Sequence, residues 1–375
     1  MDVVTVDLTD GRVPEESQLR VFLNFGEHGR ELITCQVALQ LLRWLAGGAA
    51  AAARASVGAS GKGAVRPPDA AASVTAALSR TIFKVVPMEN RGGRSKVEGG
   101  ELCLRKNGRG VDTNRNWAVH WGFKEKDYDP YEEAAGAHPF SEPEAVLLRD
   151  ALEAWRPHAW VNVHSGMRAL FMPFDHVAAE PQDAGGDGMR AVLASIKASH
   201  CGDCVTGSGG ASVGYLAHGT ATDYIYVNMS VPVVMTWEIY GDEAAAHDDC
   251  FRMFNPTTRQ LHDAVVDNWA GACLAVPGAL HLHPSVPRAP ALGLTPGKGA
   301  AAGERYARSS VGVLRRAGGA STGAAPRPWV AYGGAAALFA VAGLSATGRA
   351  RRIAAARFGG SGVGGTGGTA RKQSV

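Results

Sequence analysis

The 375-residue chain lacks a strong excess of charge. Its 38 Lys and Arg stand against 35 Asp and Glu, a formal net charge of +3. No basic stripe with interleaved aromatics occurs, so nucleic acid is not an implied partner. A basic, apolar leader is also missing: Met1-Asp-Val-Val-Thr-Val-Asp-Leu8 begins at once with the alternation of a strand. The chain is therefore read either as cytosolic or as lacking its true beginning. Cysteine is scarce, with six in all. Cys201-Gly-Asp-Cys204 has metal-like spacing but no second pair to complete a structural zinc site. An even cysteine count suits disulfides and buried thiols alike. Asn228-Met-Ser230 is a glycosylation triplet beside a strand signal, and such triplets recur by chance.

What is present is a globular composition, 46% hydrophobic and 19% charged, interrupted by Ala/Gly-rich stretches. Residues 1–282 form the expected globular domain. Within it, 47–78 is Ala/Gly/Ser-rich with Pro67-Pro68 and is expected to be a disordered surface insertion. Residues 283–328 read as an Ala/Gly/Pro-rich stalk. The uncharged Trp329–Gly348 run has the length of a spanning helix, and a basic, Gly-rich tail follows over 349–375. Together these suggest a membrane anchor with an extracytoplasmic catalytic domain.

Chemistry-bearing residues collect where apolar runs end. His28-Gly-Arg-Glu31 follows the run Val21-Phe-Leu-Asn-Phe25, and His164 closes Trp160-Val-Asn-Val163. In open α/β sheets, sites form outside the carboxyl ends of strands. Two His and one Glu make a three-ligand set that leaves a fourth zinc position open. A third run, Val231-Pro-Val-Val-Met-Thr-Trp237, leads into Glu238, a carboxylate that is costly to bury without a partner or a task. The general-base reading of Glu238 competes with that of a core ion pair. Asp112-Thr-Asn-Arg-Asn-Trp117 is a dense polar cluster in which Arg115 offers a carboxylate-gripping fork. Its plainer reading is a turn.

In their order, His28-Gly-Arg-Glu31, Gly110-Val-Asp-Thr-Asn-Arg-Asn-Trp117, Pro139-Phe-Ser-Glu-Pro-Glu144, His164-Ser165 and Thr236-Trp-Glu238 resemble the zinc metallocarboxypeptidases over residues 20–260. The tail resembles that of membrane-tethered plant and algal members. The resemblance implies an α/β fold, an α/β/α sandwich around a mixed central sheet, here without its opening strand and helix. It implies one zinc, held by His28, Glu31 and His164, with Asp112 orienting His28. Glu238 becomes the general base. Arg105 polarises the scissile carbonyl, with Arg109 as its competitor. Asn114 and Arg115 hold the substrate's C-terminal carboxylate, and Tyr215, eight residues before Asp223, closes over it. Arg30 contacts the peptide further upstream. Asp175 reads a basic C-terminal side chain, while Thr222 adds no charge to that pocket. The implied partners are peptide or protein C-termini. Two rivals share parts of this pattern: a zinc deacylase or amidohydrolase without the carboxylate-gripping set, and a catalytically inactive binding ectodomain.

Overall fold

The computed structural model describes residues 1–9, 11, 13–59, 70–288 and 310–314. The expected membrane segment, 329–348, and the basic tail lie outside them. Among the described residues no helix is long and apolar enough to cross a membrane.

In chain order the elements begin with β1 (Val3–Asp7), β2 (Leu19–Phe25), α1 (Leu32–Ala46), α2 (Ala49–Ala59), α3 (Ala70–Leu78), β3 (Thr81–Val86) and α4 (Arg91–Glu98). Next come α5 (Pro143–Trp155), β4 (Ala159–His164), β5 (Met167–Met172), α6 (Ala184–His200), β6 (Val205–Ser208), α7 (Gly209–Ser212) and α8 (Ala221–Val227). The series closes with β7 (Val233–Tyr240), α9 (Cys250–Phe254), α10 (Arg259–Ala279) and β8 (Ser310–Leu314). The strands form one mixed sheet in the order β6-β5-β7-β4-β2-β3-β1-β8. Its centre, β3-β2-β4-β7, is parallel, and β1, β5 and β8 pair antiparallel.

Strand alternation divides the central strands into two faces. Val21, Leu23 and Phe25 of β2 share one face with Ala159, Val161 and Val163 of β4 and with Val233, Met235 and Trp237 of β7. All are buried in the larger core, which α1, α6 and α10 cover. The apolar stripe of α1, Ile33, Val37, Ala38, Leu41 and Leu45, has the spacing that turns one helical face inward. On the opposite face, Phe22, Trp160 and Val234 lie under α5 and α8. Two residues further along each strand that face turns polar, with Asn24 opposite Asn162 and Asn162 opposite Thr236. Two further residues bring His164 opposite Glu238. The same strands thus supply a core at one end and chemistry at their carboxyl ends.

The insertion expected to be disordered is corrected at both ends. α2 and α3 flank its undescribed centre and pack against α10. Ala52, Ala53 and Leu78 are fully buried. Alanine has the highest helix propensity, and tertiary packing of a small-residue face stabilises so short a helix. The boundary at 282 is corrected too, because His283 and Val286 are buried against the domain. The bare sheet edge expected from a missing opening strand is not observed, since Ser310–Leu314, within the expected stalk, pairs along β1.

Four cysteines form the disulfides Cys103–Cys250 and Cys201–Cys204, and Cys35 and Cys273 are buried thiols. The isolated Cys-x-x-Cys motif therefore closes on itself. Asn228 of the glycosylation triplet is exposed at the end of α8.

The packed insertion is tested by two neighbouring substitutions. Ala53→Asp places a charge in the core and is expected to lower stability by on the order of 3–5 kcal/mol in urea unfolding. Arg54→Asp, on the exposed side of α2, should stay within about 0.5 kcal/mol of the parent. Equal, small effects at both positions would restore the disordered reading.

Candidate active site

The turn after β2 carries two of the predicted ligands. It starts at Gly26, whose φ of +69° is a left-handed conformation that side chains disfavour. Glu31 occupies the N-cap of α1 but makes no side-chain cap there. That duty falls to Asn255, whose Oδ1 accepts from the Ile33 N–H at 2.9 Å while its Nδ2 donates to the Arg30 carbonyl at 2.9 Å. The Glu31 carboxylate is left to face the histidines.

Glu31 Oε1 lies 2.6 Å from His28 Nδ1, and Oε2 lies 3.0 Å from His164 Nδ1. The two Nδ1 atoms are 3.1 Å apart. The two imidazole nitrogens and both oxygens of the Glu31 carboxylate thus gather on three buried side chains. Tetrahedral zinc with bonds of about 2.0–2.1 Å separates its ligand atoms by roughly 3.3 Å, so this set fits the metal after a small expansion. Burial alone would raise the Glu31 carboxyl, but His28 and His164 outweigh it and hold the group well below the usual range. For His164, burial would lower the imidazole, but Glu31 and Glu27 together prevail and hold it well above its ordinary value.

A second carboxylate competes for the role of ligand. Donor atoms of Glu27, His28 and His164 also lie within 4.8 Å of one another. Glu27, however, approaches His164 from its Nε2 side, at 3.1 Å, and its Oε2 already accepts from Asn162 Nδ2 at 2.6 Å. Only Glu31 meets both histidines on the nitrogens that face each other. On this geometry His28, Glu31 and His164 are the residues that could hold a metal.

Asp112 connects this cluster to the predicted substrate groups. Its Oδ1 lies 3.2 Å from His28 Nε2 and accepts from the Asn114 N–H at 3.0 Å. Its Oδ2 accepts from Arg105 Nε at 2.8 Å, with Arg115 Nη1 3.9 Å away. Burial would raise the Asp112 carboxyl, but Arg105, His28 and Arg115 together prevail and hold it well below the usual range. Arg105 is fully buried, and both of its Nη groups lack hydrogen-bond partners among the described residues. Arg109 is instead 65% exposed beside Glu142 and does not share the burial of Arg105.

Asn114, Arg115, His164, Asp175, Tyr215, Thr236 and Glu238 line one pocket. Asn114 Oδ1 accepts from the Ala221 N–H at 2.9 Å, which turns its Nδ2 donors the other way. Arg115 is buried with Nη2 unpartnered among the described residues. Neither carboxylate oxygen of Glu238 has a partner there, and burial pushes this carboxyl well above its ordinary range, against the opposing pull of His164. Thr222 is spent on Thr236, their hydroxyls 2.7 Å apart. Asp175 sits over Gly209, where a Cβ would fall 2.0 Å from its Oδ1. Burial, and then Asp223, push the Asp175 carboxyl up to about 7.

Arg30 stacks its guanidinium on Phe254 at 4.2 Å and pairs with Glu132 at 2.7 Å, outside the lining of the pocket that holds Glu238. Sequence reasoning missed Glu27 and Asn255. The acid directly before His28 was the only signal for the first, and a cap reaching across 222 residues leaves no local signal for the second.

Two histidines and a carboxylate at the carboxyl ends of the parallel central strands, beside a buried pocket lined by Asn114, Arg115 and Glu238, are the arrangement of a metal-binding α/β domain. Residues 2–271 match the zinc carboxypeptidase family, and the chain belongs to that family. It is 30% identical over 140 residues to human carboxypeptidase A6, a match that spans 35% of this chain and 31% of the human protein. The fold resembles that of carboxypeptidase A from Helicoverpa armigera, with a TM-score of 0.56 at 19% identity over 74% of this chain and 65% of the insect protein. Bovine thrombin-activatable fibrinolysis inhibitor, solved with a tick carboxypeptidase inhibitor, gives a TM-score of 0.51 at 20% identity over 71% of this chain and 82% of its own.

A metal bound only by the folded state stabilises it by roughly 3 kcal/mol at a hundredfold excess over Kd. Stripping zinc with a chelator should therefore lower the melting temperature by roughly 5–10 °C, reversibly. A melting temperature indifferent to chelator and to added zinc would argue against a metal at this cluster.

Proposed function

We propose that this chain is a zinc-dependent carboxypeptidase that removes single residues from peptide C-termini and prefers Lys or Arg at that end. The observation that carries the reading is the single pocket shared by Glu238, His164, Arg115 and Asn114. Bound by His28, Glu31 and His164, zinc would supply Lewis acidity. The remaining roles belong to the protein. Asn114 Nδ2 and Arg115 Nη2 are donors suited to a terminal carboxylate, with Tyr215 in the pocket wall. Such a subsite favours an exopeptidase over an amidohydrolase acting on neutral ends. Glu238, buried with both oxygens unpartnered, is suited to take a proton from water and return it to the leaving amine. The two unpartnered Nη groups of Arg105 are suited to the oxygen that gains charge in the transition state.

Asp175 supports the basic preference because it is the one acid besides Glu238 lining this pocket. Gly209 makes room for its carboxylate. A free Asp175 at about 7 is charged only above that pH, and only the charged form pairs with Lys or Arg.

The full chain should carry about one zinc and trim one residue from peptides ending in Lys or Arg, as read by mass spectrometry. Glu238→Gln should keep the metal and lose roughly 10²–10⁴ in kcat. Metal without trimming, in the parent chain, would turn the assignment toward a deacylase or a binding module.

The side-chain preference has its own pH signature. The ratio of kcat/KM for an Arg-ending over a Phe-ending peptide should fall as pH drops below about 7, where Asp175 becomes neutral. Asp175→Asn should remove that dependence and cut the ratio by roughly 10- to 150-fold. A pH-independent ratio, or a Phe-preferring parent enzyme, would rule Asp175 out as the selector.

A further inference from the structure

The two histidines of the cluster are held in matching ways. Each turns Nδ1 toward Glu31. Each turns Nε2 toward a different buried carboxylate, Asp112 at 3.2 Å for His28 and Glu27 at 3.1 Å for His164. Asp112 was expected in this role, whereas Glu27 was not. A histidine ligand whose second nitrogen meets a carboxylate has its tautomer and ring orientation set by that contact.

Glu27 is itself tightly placed. It is 1% exposed, and Asn90 Nδ2 donates to its backbone carbonyl at 3.1 Å. Asn162 Nδ2 donates to its Oε2 at 2.6 Å. The Asn162 Oδ1 accepts in turn from Asn24 Nδ2 at 3.0 Å, and Asn24 also donates to Glu89. This polar chain crosses β4 and β2 beneath the metal cluster, along the sheet face where a packed apolar row would otherwise continue. The Glu27–Nε2 contact is close but not in line for a hydrogen bond. Such contacts in ligand-free sites tighten in the working complex.

We propose that Glu27 is the positioning residue for His164: its carboxylate holds a proton on Nε2 and so presents Nδ1 to the zinc, while Asn162 and Asn24 fix Glu27 in place. The proposal rests on the assignment of zinc to His28, Glu31 and His164. It makes the site doubly braced, with one carboxylate behind each imidazole.

The test uses the full chain with ¹⁵N-labelled histidine, followed by NMR with and without zinc, together with zinc affinity by chelator competition. The wild type should show a hydrogen-bonded Nε2 proton on His164, and Glu27→Gln should shift or lose that resonance. Glu27→Gln should still bind one zinc, about 10- to 100-fold more weakly. Asn162→Ala should weaken zinc in the same direction, which keeps the test open if Glu27→Gln folds poorly. Wild-type affinity in Glu27→Gln would reduce Glu27 to a core polar residue and overturn the proposal. So would a chain in which Glu27→Gln abolishes zinc binding while Glu31→Gln retains it, because Glu27 would then be a ligand. Should the wild type hold no zinc, the metal assignment fails by itself. The zinc-free spectrum still decides the orientation: an Nε2 proton that depends on Glu27 upholds it, and one that does not overturns it.

Discussion

The Asp112 carboxylate is the point at which the metal cluster and the substrate pocket become one structure. One oxygen meets His28 and the backbone of Asn114, and the other meets Arg105, with Arg115 close by. A buried carboxylate with no partners carries a penalty of several kcal/mol, so this group can stay ionised only while those partners remain. Their positions are therefore mutually dependent. A shift of Arg105 away from Asp112 would loosen the ring of His28 and the turn that presents Asn114 at once. Arg105, Asn114, Arg115 and His28, the residues to which we propose carbonyl, carboxylate and metal roles, are held in register by one side chain.

What brings the other half of the site to Asp112 is the sheet. His164 and Glu238 are register partners on neighbouring parallel strands, so the spacing of the proposed ligand and the proposed base is set by backbone hydrogen bonding. Sites mounted on strands hold geometry better than sites on loops. The helix-covered apolar rows upstream on the same strands anchor that register, because a one-residue slip would turn Trp237 into the cleft and Glu238 into the main core. Folding energy and catalytic geometry are thus drawn from the same alternation.

How much of this was legible depended on whether a residue's signal was local. His28, Glu31, His164 and Glu238 stood out because each follows an apolar run, and parallel strands buried on both faces read as such runs. Asp112, Asn114 and Arg115 were legible as a motif but not as a geometry. Arg105 was preferred to Arg109 on its spacing to Asn114 alone, and the structure shows the first buried and the second exposed. Glu27 was overlooked because an acid beside a histidine looks like any solvated pair, and its Asn162 and Asn24 partners come from other segments. Composition misled at 47–78. Alanine-rich sequence lacks the large apolar residues that mark a helical face, but Ala52 and Ala53 suffice when α10 approaches closely.

The pocket shows the same economy of placement applied to selectivity. Its floor is neutral where Thr222 and Thr236 satisfy each other, so those hydroxyls do not select a charged side chain. Its acid, Asp175, is held next to Asp223, whose own oxygens accept from the backbone N–H groups of Asp175 and His176. That arrangement fixes the Asp175 backbone while leaving its carboxylate without a cation from the protein among its hydrogen bonds. Two neighbouring acids in a buried pocket make Asp175 hard to ionise, and a cationic side chain arriving there relieves the repulsion. The selectivity we propose therefore needs no specially shaped pocket. It follows from an acid that the fold places in a buried site and leaves for the substrate to neutralise.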